Sequence, residues 1–206
     1  MGLFHRGTKL TYKKGELIIR PGEKPTAVFF IEGGLVKAYD ITKYGEENLL
    51  IIRRANEVFP LIRGITGEGP TVIYEALSTV TVWRIDQQLY LDTLNKKPEL
   101  LTPLLDMVIK MYTVHSERII NLEYRTVRER LVSFLLTMAK RFGVKQEGKQ
   151  ILIDVPLRQQ DIASSINASR ETAGRELSRL EQKQLIKTKH SRITLQDIDK
   201  LWAYFK

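Results

Sequence analysis

Residues 159–189 read QQDIASSINASRETAGRELSRLEQKQLIKTK. A helix from about Gln159 to Ile166, a short turn at Asn167 and Ala168, and a second helix from Ser169 to about Lys183 have the lengths of a helix-turn-helix. Both helices carry a legible inward face. Ile162, Ala163 and Ile166 form it on the first, and Ala173, Leu177 and Leu180, spaced by four and three, form it on the second. The small Ala163 permits close packing of the pair, and Asn167 is a residue type that tolerates the left-handed backbone such a turn needs. Leu185 to Thr188 and Arg192 to Leu195 then alternate as strands around a tight turn, and Asp197 to Phe205 reads as a closing helix.

Upstream of this segment, Thr126 and Glu129 form a Thr-x-x-Glu capping box ahead of the apolar run Leu131, Phe134, Leu135 and Met138. A helix therefore starts at Thr126 and a break lies between Glu123 and Thr126. Gly143 is expected to end that helix, and a polar stretch leads to the strand Ile151 to Val155. Before the break, Leu101, Leu105, Val108, Tyr112, His115, Ile119 and Leu122 alternate steps of four and three, the seam of a two-stranded coiled coil. This reads as a dimerisation helix. The alternative is an amphipathic helix lying on the preceding domain, and His115 is either a satisfied core histidine or part of a sensor.

From Lys9 to about Asp86 the pattern is all β. Leu17 to Arg20, Val28 to Ile31, Val36 to Ile41, Leu49 to Ile52 and Val80 to Ile85 are short strands separated by turns bearing Gly15, Gly22, Gly33, Gly34 and Gly45, which suits antiparallel strands in a sandwich or barrel. The expected organisation is a β domain over residues 1–99, a dimerisation helix over 100–124 and a helix-turn-helix domain with a β-wing over 125–206, an α+β chain.

The 206 residues carry a net charge of +9, which favours a polyanionic partner. The charge is unevenly placed. Residues 1–124 hold 16 Lys and Arg against 15 Asp and Glu, and residues 125–206 hold 17 against 9, a net of +8 in the C-terminal part. With no cysteine, disulfides, thiolate nucleophiles and cysteine-ligated metal or iron-sulfur sites are excluded. His5, His115 and His190 are too scattered for a clear metal or haem site. No serine-histidine-acid or paired-carboxylate arrangement is recognisable; Asp154 reads as flanking a strand and Asp161 as sitting on a helix surface, so an enzyme is not expected. No apolar stretch approaches the length that crosses a bilayer, and residues 1–14 lack the features of a signal peptide, so a cytoplasmic location without membrane association is expected.

The second helix presents its chemistry on one side. At about 100° per residue, Arg170, Glu171, Gly174, Arg175 and Ser178 share an arc of roughly 140°, apart from the Ala173, Leu177, Leu180 stripe. Arginines can make bidentate bonds to guanine, a glutamate can accept from the cytosine amino group, and a glycine lets the helix approach the groove floor. The plain alternative is a solvated Arg/Glu face. Arg158, Gln159 and the wing's Lys187 and Lys189 are placed for phosphates.

The run Ser169-Arg170-Glu171-Thr172-Ala173-Gly174-Arg175, the Glu181 to Ile186 stretch, the β-rich start and the long central helix resemble the CRP/FNR transcription regulators over nearly the whole chain. The resemblance implies a cyclic-nucleotide-binding-like antiparallel β-roll, a dimerising helix and a C-terminal winged helix-turn-helix. It implies base contacts by Arg170, Glu171 and Arg175 and phosphate contacts by Ser169 and Thr172. Gly174 stands where the FNR branch usually has serine, which implies half-sites of the TGTGA type. Arg158 departs from the threonine that many relatives place at the head of the first helix, so the usual cap is missing. The sensory half departs further: Phe59-Pro60-Leu61-Ile62 and Gly69-Pro70-Thr71-Val72-Ile73 replace the Gly-Glu and Arg-Ser or Arg-Thr pairs that hold a cyclic nucleotide. Cyclic AMP is therefore not expected as an effector, and no cofactor is assigned. An effector pocket, if present, is apolar, built from Phe59, Leu61 and Ile62 with Arg63 and His115; alternatively Leu61 and Ile62 simply fill the core.

The reading that follows is a homodimeric DNA-binding transcription regulator whose partners are double-stranded DNA and RNA polymerase. The rival is a small-molecule-binding regulatory module acting through protein–protein contacts, which predicts no salt-dependent binding to duplex DNA.

Overall fold

Twelve strands and seven α-helices are found among residues 3–70 and 72–203, which the computed structural model describes. Thr71, within the departed cassette, and Phe205, at the end of the expected closing helix, lie outside the described residues. The chain divides into two units, residues 1–110 and 111–206.

The first unit is built on two four-stranded antiparallel sheets. One has the order β1 (Thr8–Tyr12), β8 (Val80–Asp86), β3 (Ala27–Gly33), β6 (Val58–Phe59); the other has β2 (Leu17–Ile19), β7 (Ile73–Ala76), β4 (Val36–Ile41), β5 (Glu47–Arg53). Their core is apolar and aromatic: Phe59 stacks on Phe29 at 5.2 Å and on Tyr74 at 4.7 Å between ring centroids. Burial of side chains such as Val28, Ile31, Val36, Phe59 and Val82, all fully or almost fully enclosed, contributes about 1.5–3 kcal/mol each for the large ones. Gly34 is required where it stands. Its φ is +90°, and a Cβ there would lie 2.2 Å from the carbonyl oxygen of Thr79, so both backbone conformation and space exclude other residues. The alternating runs name five of the eight strands. They miss Thr8–Tyr12, Ile73–Ala76 and the two-residue β6, which are too short or too mixed in polarity to carry a period of two.

Two helices were hidden in the same region. The six-residue α1 (Leu61–Thr66) leaves β6 after Pro60, and α2 (Gln87–Lys96) starts on Asp86, whose carboxylate accepts from the backbone N–H groups of Gln88 and Leu89 at 2.9 and 3.2 Å. Gly64 of α1 packs so closely on Val28 that an added Cβ would lie 2.9 Å from its Cγ2.

Helix α3 spans Leu101–Tyr124 without a buried residue. It ends where Thr126 begins α4 (Val127–Phe142): the Thr126 hydroxyl accepts from the Glu129 N–H at 3.4 Å while the Glu129 carboxylate accepts from the Thr126 N–H at 2.7 Å. Such a cap contributes about 1 kcal/mol. Leu131, Leu135 and Met138 are buried as the pattern requires, with Phe134 half-buried.

Gly143 ends α4 for a reason other than a left-handed cap. Its backbone is extended, with φ −73° and ψ 131°. A Cβ there would lie 2.2 Å from the Ala139 carbonyl oxygen and 2.7 Å from Ile151 Cγ2, so space selects glycine. The second unit then adds β9 (Gly143–Lys145), β10 (Ile151–Ile153), α5 (Gln159–Ser165), α6 (Arg170–Gln182), β11 (Ile186–Lys189), β12 (Arg192–Leu195) and α7 (Ile198–Ala203), with the sheet order β11-β12-β10-β9.

Candidate nucleic-acid interface

The inward faces of α5 and α6 form one core. Ile162, Ala163, Ile166, Ala173 and Leu180 are at most 2% exposed, and Leu177 is buried beside them. Asn167 turns the chain with φ +48°, the left-handed conformation for which its side chain suits it. Helix α6 begins on Ser169, whose hydroxyl accepts from the Thr172 N–H at 3.2 Å.

With one side of α6 fixed against α5, Arg170, Glu171, Arg175 and Ser178 are exposed together. Their side chains are held by short-range contacts. Arg175 donates to the Thr172 hydroxyl at 3.1 Å, and Arg170 Nε approaches Gln159 Oε1 at 3.5 Å. Glu171 titrates below the usual carboxylate range because its own backbone N–H and the Ser169 hydroxyl bond to it, with Arg170 and Arg175 adding positive charge nearby. It is thus an ionised acceptor between two cationic donors.

Arg158 precedes α5 and lacks a capping oxygen, but the cap is supplied from the other side. The Asp161 carboxylate accepts from the Arg158 backbone N–H at 2.9 Å and from its guanidinium at 2.8 and 3.1 Å. Asp161 is 4% exposed, which corrects its expected place on a helix surface: burial is tolerated because its oxygens are bonded on the spot. The wing turns through His190 and Ser191, both left-handed at φ 50° and 60°, the geometry of a two-residue hairpin turn. Lys187 and Lys189 are exposed on its first strand, and Thr188 N–H donates to Glu181 at 2.7 Å, tying the wing to α6. Asp154 is paired with Arg192 at 2.8 Å.

Three further arginines support this unit and were not legible as such. Arg130 of α4 donates to the carbonyls of Ile166 at 2.7 Å, Asn167 at 3.2 Å and Arg125 at 2.9 Å. Arg118 of α3 donates to the Ser164 carbonyl at 3.1 Å, and burial lowers its pKa from the ordinary arginine value. Arg128 pairs with Glu176 of α6 at 3.1 Å, and Glu176 also meets Arg179. Their partners lie 36 to 48 residues away in α5, α6 and the turn between them, apart from the nearby Arg125 carbonyl and Glu176–Arg179 pair, so no local periodicity reports them.

Along α3 the expected seam lies on the outside. Leu105, Tyr112 and Ile119 are 59, 72 and 58% exposed, Leu101 is exposed, and Val108, His115 and Leu122 are half-buried. Off the seam, Met107 of this helix meets β6, its sulfur accepting from the Val58 N–H at 3.4 Å.

In the β domain, the residues expected at an effector pocket differ in exposure. Phe59 is fully buried and Leu61 nearly so, whereas Ile62 is 58% exposed and fills no core; helix α1 turns it outward. Arg63 donates to the carbonyls of Gly69 at 2.7 Å and Gly67 at 3.5 Å. His115 belongs to the other unit. Two cations of the domain are buried: Lys37, 2% exposed and 2.8 Å from Glu47, and Arg53, 3% exposed and 3.6 Å from Glu57. Beside the latter, Tyr74 has its pKa raised by burial against an opposing effect from Arg53. Among the described residues no group of three His, Asp or Glu side chains is placed to hold a metal, and no helix is long and apolar enough to cross a membrane.

A β-roll, a long helix and a winged helix-turn-helix with a charged, exposed face on its second helix define a transcription regulator of the helix-turn-helix class. Residues 129–204 match the Crp-like helix-turn-helix domain and residues 9–97 the cyclic nucleotide-binding domain. The chain is 30% identical over 186 residues to the global nitrogen regulator of Synechococcus elongatus, covering 89% of this chain and 83% of that protein. It is 24% identical over 187 residues to the fumarate and nitrate reduction regulatory protein of Vibrio cholerae, covering 91% and 74%. The fold is also that of FixK2 from Bradyrhizobium japonicum, with a TM-score of 0.80 at 21% identity over 96% of each chain. The chain belongs to the CRP/FNR family of transcription regulators.

Proposed function

We propose that the chain works as a homodimer that binds an imperfect DNA palindrome with TGTGA-like arms. Arg170 and Arg175 bond to guanines, and Glu171 accepts from the cytosine amino group of a G·C pair, each good contact contributing about 1–3 kcal/mol of discrimination. The observation that carries this reading is the exposed Arg170–Glu171–Arg175 group on a helix whose opposite side is buried. Ser169, Thr172, Arg158, Lys187 and Lys189 hold phosphates and set register without choosing sequence. The exposed seam of α3 supports a second copy as its cover, and two-fold symmetry then places two reading helices about 34 Å apart, one turn of duplex. The protein acts in the cytoplasm, where DNA and RNA polymerase are met, and catalyses no reaction.

The effector is not a cyclic nucleotide. Leu61 and Ile62 stand where nucleotide-binding relatives present a carboxylate, and Arg63 is engaged by loop carbonyls. A buried cyclic phosphate without partners would cost several kcal/mol.

Site selection on randomised duplexes tests the base assignment. Glu171→Ala is expected to relax preference at one base pair in each arm while keeping most non-specific affinity. Lys189→Ala is expected to weaken all sequences alike and to flatten the salt slope by about one unit. Recovery of an unchanged motif by Glu171→Ala would remove Glu171 from base reading. Absence of salt-dependent binding to duplex DNA would favour the rival module acting through protein contacts.

A further inference from the structure

Gln159, the first residue of α5, is exposed, yet its amide does not stand clear of the protein. Its Oε1 lies 3.5 Å from Arg170 Nε. A Cβ built on Gly174 would lie 3.7 Å from its Nε2 and 4.0 Å from its Cδ and Oε1. The amide thus rests across α6 beside Arg170 and Gly174, which are one helical turn apart on the face that carries Glu171 and Arg175. Gly174 leaves room for it: a methyl group would just touch the amide, and any longer side chain would occupy its place.

We propose that Gln159 is a positioning residue for base recognition, holding Arg170 in the orientation that meets its guanine, rather than a phosphate anchor. An arginine side chain has several rotatable bonds and loses conformational entropy when it is fixed on a base edge. An acceptor supplied by the neighbouring helix orders the guanidinium before DNA arrives and leaves its remaining N–H groups for the base. The inference rests on the reading of α6 as the recognition helix.

The test compares Gln159→Met, which keeps the length and the packing over Gly174 but removes the acceptor, with Gln159→Ala and Arg170→Ala, all as full-length protein in site selection and in titrations over salt. Discrimination at the base pair read by Arg170, identified as the one lost in Arg170→Ala, is expected to fall about three- to tenfold in both Gln159 variants. Other positions, non-specific affinity and the salt slope should stay as in the unaltered protein. Uniform weakening on every sequence would make Gln159 a phosphate anchor and overturn the proposal, as would an unchanged motif in Gln159→Met alongside a changed one in Arg170→Ala. An unchanged motif in Arg170→Ala itself would overturn the assignment of Arg170 to a base, and this proposal with it.

Discussion

The Arg130 guanidinium and the Ile166 carbonyl meet at 2.7 Å, joining α4 to the turn between the two helices of the helix-turn-helix. The same side chain reaches the Asn167 and Arg125 carbonyls. One residue therefore satisfies backbone acceptors at the end of α5, in the turn, and in the connection between α3 and α4. Charged donors to such acceptors contribute about 1.5–3 kcal/mol.

Replacing Arg130 by methionine keeps much of the packing and removes all three bonds. A loss of about 2–3 kcal/mol in urea unfolding is expected, along with weaker specific DNA binding because the left-handed turn at Asn167 is no longer held. A change below about 0.5 kcal/mol, the level of an ordinary surface substitution, would show that water replaces the guanidinium at no cost.

Dimer formation is expected to depend on the exposed seam of α3. Tyr112→Glu combined with Ile119→Asp introduces charge at two positions that are mostly exposed in one protomer, so each protomer should fold normally while the pair dissociates. Sedimentation at micromolar concentration should give a dimer for the unaltered chain and a monomer for the double variant. A monomeric unaltered chain would remove the two-arm operator from the proposed function.

Cyclic AMP and cyclic GMP are expected to bind no tighter than about 10 μM, equivalent to roughly 7 kcal/mol. Titration calorimetry measures this directly. Tighter binding would mean that groups other than the missing cassette neutralise the phosphate, with the buried Arg53 the first residue to substitute.

The cap at the start of α4 gives a pH-dependent stability. Bonds from the Thr126 hydroxyl and backbone N–H hold the Glu129 pKa below its ordinary value of 4.5. The folded state therefore favours the ionised carboxylate, and this contribution is present above pH 4.5 and is lost as pH falls through the lowered folded value. Glu129→Gln should be less stable than the unaltered chain at pH 7, with the difference shrinking towards pH 3. A difference that stays constant across this range, measured by chemical unfolding, would assign the effect to shape rather than charge.

The helix-turn-helix was legible because its determinants are local. The buried stripes Ile162–Ala163–Ile166 and Ala173–Leu177–Leu180, the left-handed Asn167 and the Thr126–Glu129 box are each set by spacings within a turn or two of helix, where periodicity and capping chemistry operate. The exposed face with Arg170, Glu171 and Arg175 follows from the same period, so the candidate site was readable before its surroundings. Tertiary structure decided what distant segments bring together. Arg130 finds the Ile166 carbonyl 36 residues away, Gln159 lies over Gly174, and Ile151 closes on Gly143 in addition to the local Ala139 carbonyl. Strand spacing likewise could not reveal that Ile62 leaves the core on a six-residue helix while Arg53 is enclosed. Local chain chemistry chooses helices, caps and turns because their partners lie a few residues apart; the satisfaction of buried carbonyls and charges depends on which surfaces meet, and only the folded chain brings those surfaces into contact.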